Sequence, residues 1–410
     1  MKILHINPWD VESRGVYHLH SALKEAQMES RMLVQYKSSY DPSVLGMEKK
    51  REKCALLFQD NISKMLLKSY KKKAPFSTAW VSFGKTLRKI QEMCPDIVHI
   101  HSFCNMLKIE ELPKIQQPVV WSLYDMWPLT GGCYNPCNDD HPTEEECKKY
   151  TKSCGCCPAL GSFKEKDISY KVWERKRIAF GQMKNLTLVA ISETISQAAK
   201  ESQLFSGREV LSIPYPVDTN VFQNIDKKVA REILGLPLEK KLLLVHSRKS
   251  QYDNAKALSL LWEALQDLQM KKMELIFLGP IPDNPGRLPV QFLGNWQDDV
   301  SRKLLYNAVD VFVEPFYQEV YSYSILESLA CATPVVAFRT PHTAEILQHA
   351  QNGYLAKALD SKDMAAGIDW LCHHLNYKHL SIKAREKALE SFEKTKILKE
   401  YINLYEKLVC

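Results

Sequence analysis

A chain of 410 residues with 45% hydrophobic and 25% charged residues has the composition of a soluble globular protein, and it is too long for one ordinary core, so two domains are expected. It has no apolar run of about 18 residues, which excludes a spanning helix, and Met1–Ile6 enters a strand directly without the apolar region and cleavage site of an export signal. The net charge of +7 is modest and carries no recognition module, which argues against a nucleic-acid partner.

The first half alternates strand and helix patterns. Lys2–Ile6 reads as a strand, Val16–Gln27 as a helix with Leu19, Leu23 and Ala26 on one face, and Arg31–Gln35 as a strand. Basic residues then concentrate between Lys49 and Lys73, interleaved with Leu56, Phe58, Ile62 and Leu66. A solvated helix face and an amphipathic surface for anionic lipid both fit that stretch. Phe76–Met93 reads as a helix; Ile97–Ile100, Val119–Leu123, Leu186–Ile191 and Val210–Ile213 read as strands, with a helix from Glu193 that Ser192 can cap. Two prolines in Ile213–Phe222 break the pattern and mark the passage between domains.

The alternation then resumes. Strands are expected at Lys241–His246, Leu275–Leu278, Val290–Leu293, Val311–Val313 and Val335–Phe338. Helices are expected at Ala255–Leu268, Ser301–Ala308, Ser324–Ala330 and Met364–His374, and Thr395–Cys410 is one amphipathic helix. Such order means parallel sheets with crossover helices, whose ligands bind at the carboxyl edge.

The second half carries the clearest chemistry. His246-Ser247-Arg248 follows a strand, and Lys256 opens the next helix. A strand-to-helix junction offers free backbone N–H groups, and an Arg and a Lys there suit a diphosphate. Further on, Glu319 and Glu327 are separated by seven residues, with an apolar helix opening between them and Pro334-Val-Val-Ala following. A sugar nucleotide needs cations for its diphosphate and carboxylates for its hydroxyls, and both occur here in loops of the right kind. Plainer readings stay open: Glu327 pairing with a Lys, Glu319 favoured by a helix dipole, His101 as a satisfied structural histidine beside His99, and Asp125 capping a turn.

The segment from Glu319 to Ala337 resembles the signature of the family 4 retaining glycosyltransferases of the GT-B fold, with Ala332 where that family commonly has Gly and Val320 where the start reads Glu-Gly-Phe-Gly. Trp121-Ser-Leu-Tyr-Asp125-Met-Trp-Pro resembles the branch that builds bacterial exopolysaccharides of the colanic acid type, with Tyr124 in place of the usual His. The resemblance implies two Rossmann-like, doubly wound α/β domains facing a central cleft. Residues 1–215 would form the acceptor-side domain with a Cys-rich insertion at about 131–161, residues 216–392 the nucleotide-sugar domain, and residues 393–410 a helix returning to the first. It implies a donor set of Gly15, Arg248, Lys256, Glu319, Ser324 and Glu327. Arg248 and Lys256 would hold the diphosphate, Glu327 the ribose, and Glu319 the transferred sugar; Gly15 would allow close approach of backbone to phosphate. Asp125 and His101 would line the acceptor side. It further implies retaining transfer of a hexose-type sugar from a UDP- or GDP-sugar, without a catalytic metal, to a saccharide or lipid-linked saccharide at the inner face of the plasma membrane. A degenerate relative that binds a saccharide or a partner without turnover is the alternative.

Six cysteines fall within residues 133–157. Cys133, Cys147, Cys154 and Cys157 match a similar set in the exopolysaccharide-type relatives and suit tetrahedral structural zinc, with Cys137 and Cys156 as extras. Disulfides and free thiols remain open alternatives, the former disfavoured without an export signal.

Overall fold

The computed structural model describes residues 1–46, 62, 65–71, 75–82, 85–135, 147–246, 254–268, 272–279, 290–294, 296, 298–317 and 321–409. The chain divides into two compact units, Met1–Tyr215 with Thr395–Cys410, and Pro216–Lys394.

In the first unit the strands are β1 (Lys2–Ile6), β2 (Glu29–Leu33), β3 (Val44–Leu45), β4 (Ile97–Ile100), β5 (Val119–Leu123), β6 (Leu186–Ala190) and β7 (Val210–Ser212). Among the described residues they form one sheet in the order β3-β2-β1-β4-β5-β6-β7. All its ladder pairings are parallel. Near-continuous apolar runs such as Val119–Leu123, buried at every position, are what a sheet covered on both faces requires. The second unit holds β8 (Lys241–His246), β9 (Met273–Leu278), β10 (Val290–Phe292), β11 (Val311–Glu314), β12 (Val335–Phe338) and β13 (Gly353–Ala356), ordered β10-β9-β8-β11-β12-β13 and again parallel. Both orders reverse direction once, between β1 and β4 and between β8 and β11. Each reversal is the switch point at which open α/β sheets take ligands.

Sequence details decide where helices begin. Ser192 accepts a hydrogen bond from the Ile195 N–H at 3.3 Å and starts the helix Glu193–Glu201. The helix expected over 76–93 is shorter, Thr86–Met93. Phe76 instead bridges Cys133 in antiparallel fashion, and Ala79 has φ of 43°, which a right-handed helix cannot contain. Lys394–Val409 forms the final helix. Within the first unit its Tyr405 hydroxyl meets His99 Nδ1 at 2.7 Å, and its Tyr401 hydroxyl donates to the Ile213 carbonyl at 3.2 Å.

The core of the second unit gathers Leu243, Val245, Leu275, Phe277, Val311, Val313 and Val336 from the sheet against Leu261, Leu265 and Ile368 from its helices. Each such side chain contributes on the order of 1.5–3 kcal/mol relative to exposure.

Candidate functional site

The switch point of the second unit brings the predicted Ser324 against the end of β8. β8 ends in His246, whose Nδ1 lies 3.1 Å from Ser324 Oγ in the first turn of the helix Tyr323–Ala330. β11 ends in Glu314, buried, whose Oε2 accepts from Ser322 Oγ at 2.5 Å. Ser322 precedes that helix, and its hydroxyl serves Glu314 rather than capping it. The Tyr323 hydroxyl donates to the Pro216 carbonyl. Glu327 stands one turn beyond Ser324 and is fully buried. Its Oε2 accepts from Arg302 Nη2 at 2.6 Å, from Arg302 Nε at 3.1 Å and from the Tyr306 hydroxyl at 2.9 Å. Lys256 is exposed in the opening turn of the helix Asn254–Gln266. Arg248 and Glu319 lie outside the described residues.

The helix bearing Ser324 and Glu327 ends in a tight reversal. The Ala332 N–H donates to the Leu329 carbonyl at 2.9 Å and the Thr333 N–H to the Ser328 carbonyl at 2.9 Å, with Ala332 at φ of 59°. This is a Schellman ending, whose left-handed position favours glycine. The Ala-for-Gly difference noted in the sequence therefore falls where a Cβ is most strained.

In the first unit Gly15 lies in the first turn of the helix Arg14–Glu25, and a Cβ there would meet Tyr215 Cδ2 at 2.6 Å. Gly15 is thus required by contact with an aromatic ring of its own unit. The same Tyr215 donates or accepts at His101 Nδ1, 2.7 Å away. His101 is buried, and its Nε2 lies 2.9 Å from His5 Nδ1. His99 is fully bonded as well, Nδ1 to Tyr405 and Nε2 to Ser122 Oγ at 2.8 Å. Burial holds all three imidazoles well below their ordinary range, to about 3 at His99. They are the one group among the described residues whose candidate metal-ligand atoms all lie within 4.8 Å of one another. Five of their six ring nitrogens already have hydrogen-bond partners, which makes this a neutral hydrogen-bonded network.

Asp125 is half-buried, and its Oδ1 accepts from the Trp127 N–H at 2.8 Å, an Asx turn. Burial pushes its carboxyl up to about 7, against the pull of that N–H and of Lys176. Lys176 is fully buried on the helix Ile168–Gln182. Its ammonium donates to the Trp127 carbonyl and, at 2.9 Å, to the Thr130 carbonyl, and it sits 3.3 Å from the centre of the Trp127 ring. Lys176 therefore holds the segment that follows Asp125. Tyr124 stays a neutral phenol, pushed up by burial and by Asp125.

Cys133, Cys147, Cys154 and Cys157 are all free thiols. Burial pushes Cys133, Cys154 and Cys157 up to about 12. Neighbouring thiols add to each shift: Cys154 and Cys147 at Cys133, Cys147 and Cys157 at Cys154, and Cys133 at Cys157. The four sulphurs converge on one region. No three of them come within 4.8 Å of one another, whereas zinc–sulphur bonds of about 2.3 Å in a tetrahedron set sulphur pairs about 3.8 Å apart. The donor chemistry fits zinc; the spacing fits it only after contraction.

Arg302, Tyr306, Glu314 and Ser322 have no place in the sequence reading. The available signal is Arg302 and Tyr306 four apart, hence on one face of the helix Asp299–Ala308.

Two doubly wound parallel sheets, each with one switch point, define the GT-B class of fold. Residues 240–374 match the family model described as Glycosyl transferases group 1. Among curated proteins, N-acetyl-alpha-D-glucosaminyl L-malate synthase of Bacillus anthracis is 30% identical over 117 residues, 28% of this chain and 30% of that protein. The N,N'-diacetylbacillosaminyl-diphospho-undecaprenol alpha-1,3-N-acetylgalactosaminyltransferase of Campylobacter jejuni is 27% identical over 146 residues, 34% of this chain and 38% of that protein. The chain thus spans about a third of the length of these relatives. The crystal structure of Anabaena Alr3699/HepE in complex with UDP and glucose superposes with a TM-score of 0.62 at 15% identity, covering 99% of each chain, which establishes the shared fold.

Proposed function

We propose that the chain is a retaining glycosyltransferase that moves a hexose-type sugar from a UDP- or GDP-sugar to a saccharide or lipid-linked saccharide during cell-surface polysaccharide synthesis. The observation that carries the reading is the contact of His246 with Ser324 at the switch point of the second unit, on the helix that also bears Glu327, inside the stretch that matches group 1 glycosyltransferases. UDP in HepE and the diphospho-undecaprenol-linked substrate in the name of the Campylobacter relative support the two substrate classes.

In this reading Arg248 and Lys256 neutralise the diphosphate, Glu327 takes the ribose hydroxyls, Ser324 and Gly15 approach the donor, and Glu319 faces the transferred sugar. Departure of the nucleoside diphosphate places positive charge on the sugar and negative charge on phosphate. Fixed cations and helix N–H groups stabilise that separation without a catalytic metal. Asp125 and His101 serve the acceptor side. The four cysteines hold one structural zinc, whose charge would draw the thiols into their ionised form. Among the described residues no helix is long and apolar enough to cross a membrane. Contact with the inner membrane face would come through the basic stretch near Lys49–Lys73, most of which lies outside the described residues.

The test is nucleotide release from a panel of UDP- and GDP-sugars with and without saccharide acceptors. Release that is abolished by Glu319→Ala supports the proposal. Tight binding without release, insensitive to Glu319→Ala, overturns it in favour of a saccharide-binding protein.

A further inference from the structure

Glu327 is set apart from the other predicted site residues by the company it keeps. It has no solvent exposure, and burial of an isolated carboxylate drives it towards the neutral form, which can no longer accept at every lone pair. Arg302 opposes that drive from the neighbouring helix Asp299–Ala308. Both Arg302 and Tyr306 are 2% exposed. The guanidinium spans Glu327 Oε2 with Nη2 at 2.6 Å and Nε at 3.1 Å. Arg302 Nη2 also donates to the Tyr306 hydroxyl at 2.9 Å, and that hydroxyl donates in turn to Oε2 at 2.9 Å. Three donors on one oxygen fix the charge and the torsion of the carboxylate together.

The pair is itself braced. The Tyr306 carbonyl accepts from Thr333 Oγ1 at 2.7 Å, just past the end of the helix that carries Glu327. Asn307, beside it, accepts from the Ile225 N–H at 2.8 Å and donates to the Gln223 carbonyl at 3.1 Å. The two helices therefore cannot shift relative to each other without breaking several buried bonds.

We propose that Arg302, backed by Tyr306, is the positioning residue that makes Glu327 a reader of ribose hydroxyls. This rests on the reading of the second unit as a nucleotide-sugar site and adds the source of its ribose selectivity. A carboxylate locked at Oε2 meets a 2′,3′-diol in one orientation. A nucleotide lacking those hydroxyls forfeits that match, and sites built to hydrogen-bond a ligand hydroxyl reject the ligand without it. Arg302 does not touch the nucleotide; it acts through Glu327.

The experiment is calorimetric titration of the full chain with UDP, GDP and their 2′,3′-dideoxy counterparts. The variants are Tyr306→Phe, Arg302→Lys and Arg302→Met, each checked for folding by circular dichroism. The unaltered protein should bind one ribonucleotide at least about tenfold more tightly than its dideoxy form. Tyr306→Phe, which keeps the ring and its packing, should weaken the ribonucleotide about threefold to tenfold and leave the dideoxy affinity unchanged, because one hydrogen bond to a charged group is lost. Arg302→Lys should lie between, and Arg302→Met should nearly abolish the ribo-to-dideoxy ratio. If Tyr306→Phe and Arg302→Lys weaken both nucleotides equally, or leave the ratio intact, the pair is merely structural and the proposal falls. Unaltered protein that binds neither UDP nor GDP overturns the nucleotide reading of the unit itself, an outcome distinct from an unchanged ratio.

Discussion

Replacing Asp310 should damage the second unit severely. Asp310 precedes β11 with its side chain only 7% exposed. Its Oδ2 accepts from Arg231 Nη2 at 2.7 Å and from the Leu242 N–H at 2.8 Å, and its Oδ1 from Lys227 Nζ at 2.8 Å. Arg231 spends its other donors on the carbonyls of Ala308, Leu238 and Lys240, so it cannot swing out to water when its partner goes. Lys227 shares the carboxylate, its own ammonium pulled down by burial despite Asp310, while Arg231 keeps its charge at every working pH. Asp310→Ala leaves a buried guanidinium uncompensated, a change that costs about 3–5 kcal/mol. For a unit of this size each kcal/mol lowers Tm by roughly 2–4 °C, so a drop of roughly 10 °C is expected in thermal unfolding followed by tryptophan fluorescence. Burial pushes the Asp310 carboxyl up, but Lys227, the Leu242 N–H and Arg231 together hold it below its ordinary 3.8. Its stabilising effect is therefore present above the unfolded-state value and lost as pH falls through the folded one, so the gap between the unaltered protein and Asp310→Asn should close below about pH 4. A loss under about 1 kcal/mol for Asp310→Ala at pH 7 would refute the argument.

Gly15→Ala should cost about 1–3 kcal/mol, because its Cβ would stand 2.6 Å from a ring that is itself buried and tied to His101; an unchanged Tm contradicts this. Ala332→Gly should stabilise the protein by about 0.5–1 kcal/mol in urea unfolding, since Ala332 holds φ of 59°; destabilisation would show that the strain is relieved elsewhere. Asp125, pushed up to about 7 by burial, is protonated below that pH and ionised above it. If its ionised form serves the acceptor side, kcat/KM should rise with pH through about 7 and Asp125→Asn should remove that limb; a limb retained in Asp125→Asn assigns it to another group. Metal analysis of purified protein should find about one zinc per chain, reduced in Cys154→Ser, and a clean preparation free of metal would sink the zinc site.

Much of this was legible in the residues. Strands such as β5 and β8 are near-continuous apolar runs, broken only by Ser122 in β5 and by the Lys241 and His246 ends of β8, and the order of strand, loop and helix points Glu319 and Glu327 to the carboxyl edge of a parallel sheet. What escaped has physical causes. The helix Ile168–Gln182 buries Lys176 on its inward face and exposes Ile178, which blurs the apolar stripe that periodicity detects. β13 opens with Gly353, a residue that signals a turn; it is there because a Cβ would meet the Val335 carbonyl oxygen at 2.4 Å. The Arg302 partner of Glu327 lies 25 residues away in sequence, and an Arg on an amphipathic helix reads as a solvated one. No local pattern distinguishes the buried case.

The first unit is discontinuous: its closing segment, from Thr395 onward, follows the whole of the second unit along the chain. At bacterial or eukaryotic elongation rates of about 5–20 residues per second, the 179 residues from Pro216 to Lys394 take roughly ten to forty seconds to synthesise. Throughout that interval the nascent first unit lacks Tyr401 and Tyr405, and the imidazole of His99 awaits its phenol. A stop codon after Lys394 would therefore harm the half of the protein that was made earliest and leave the half made later with all of its own residues.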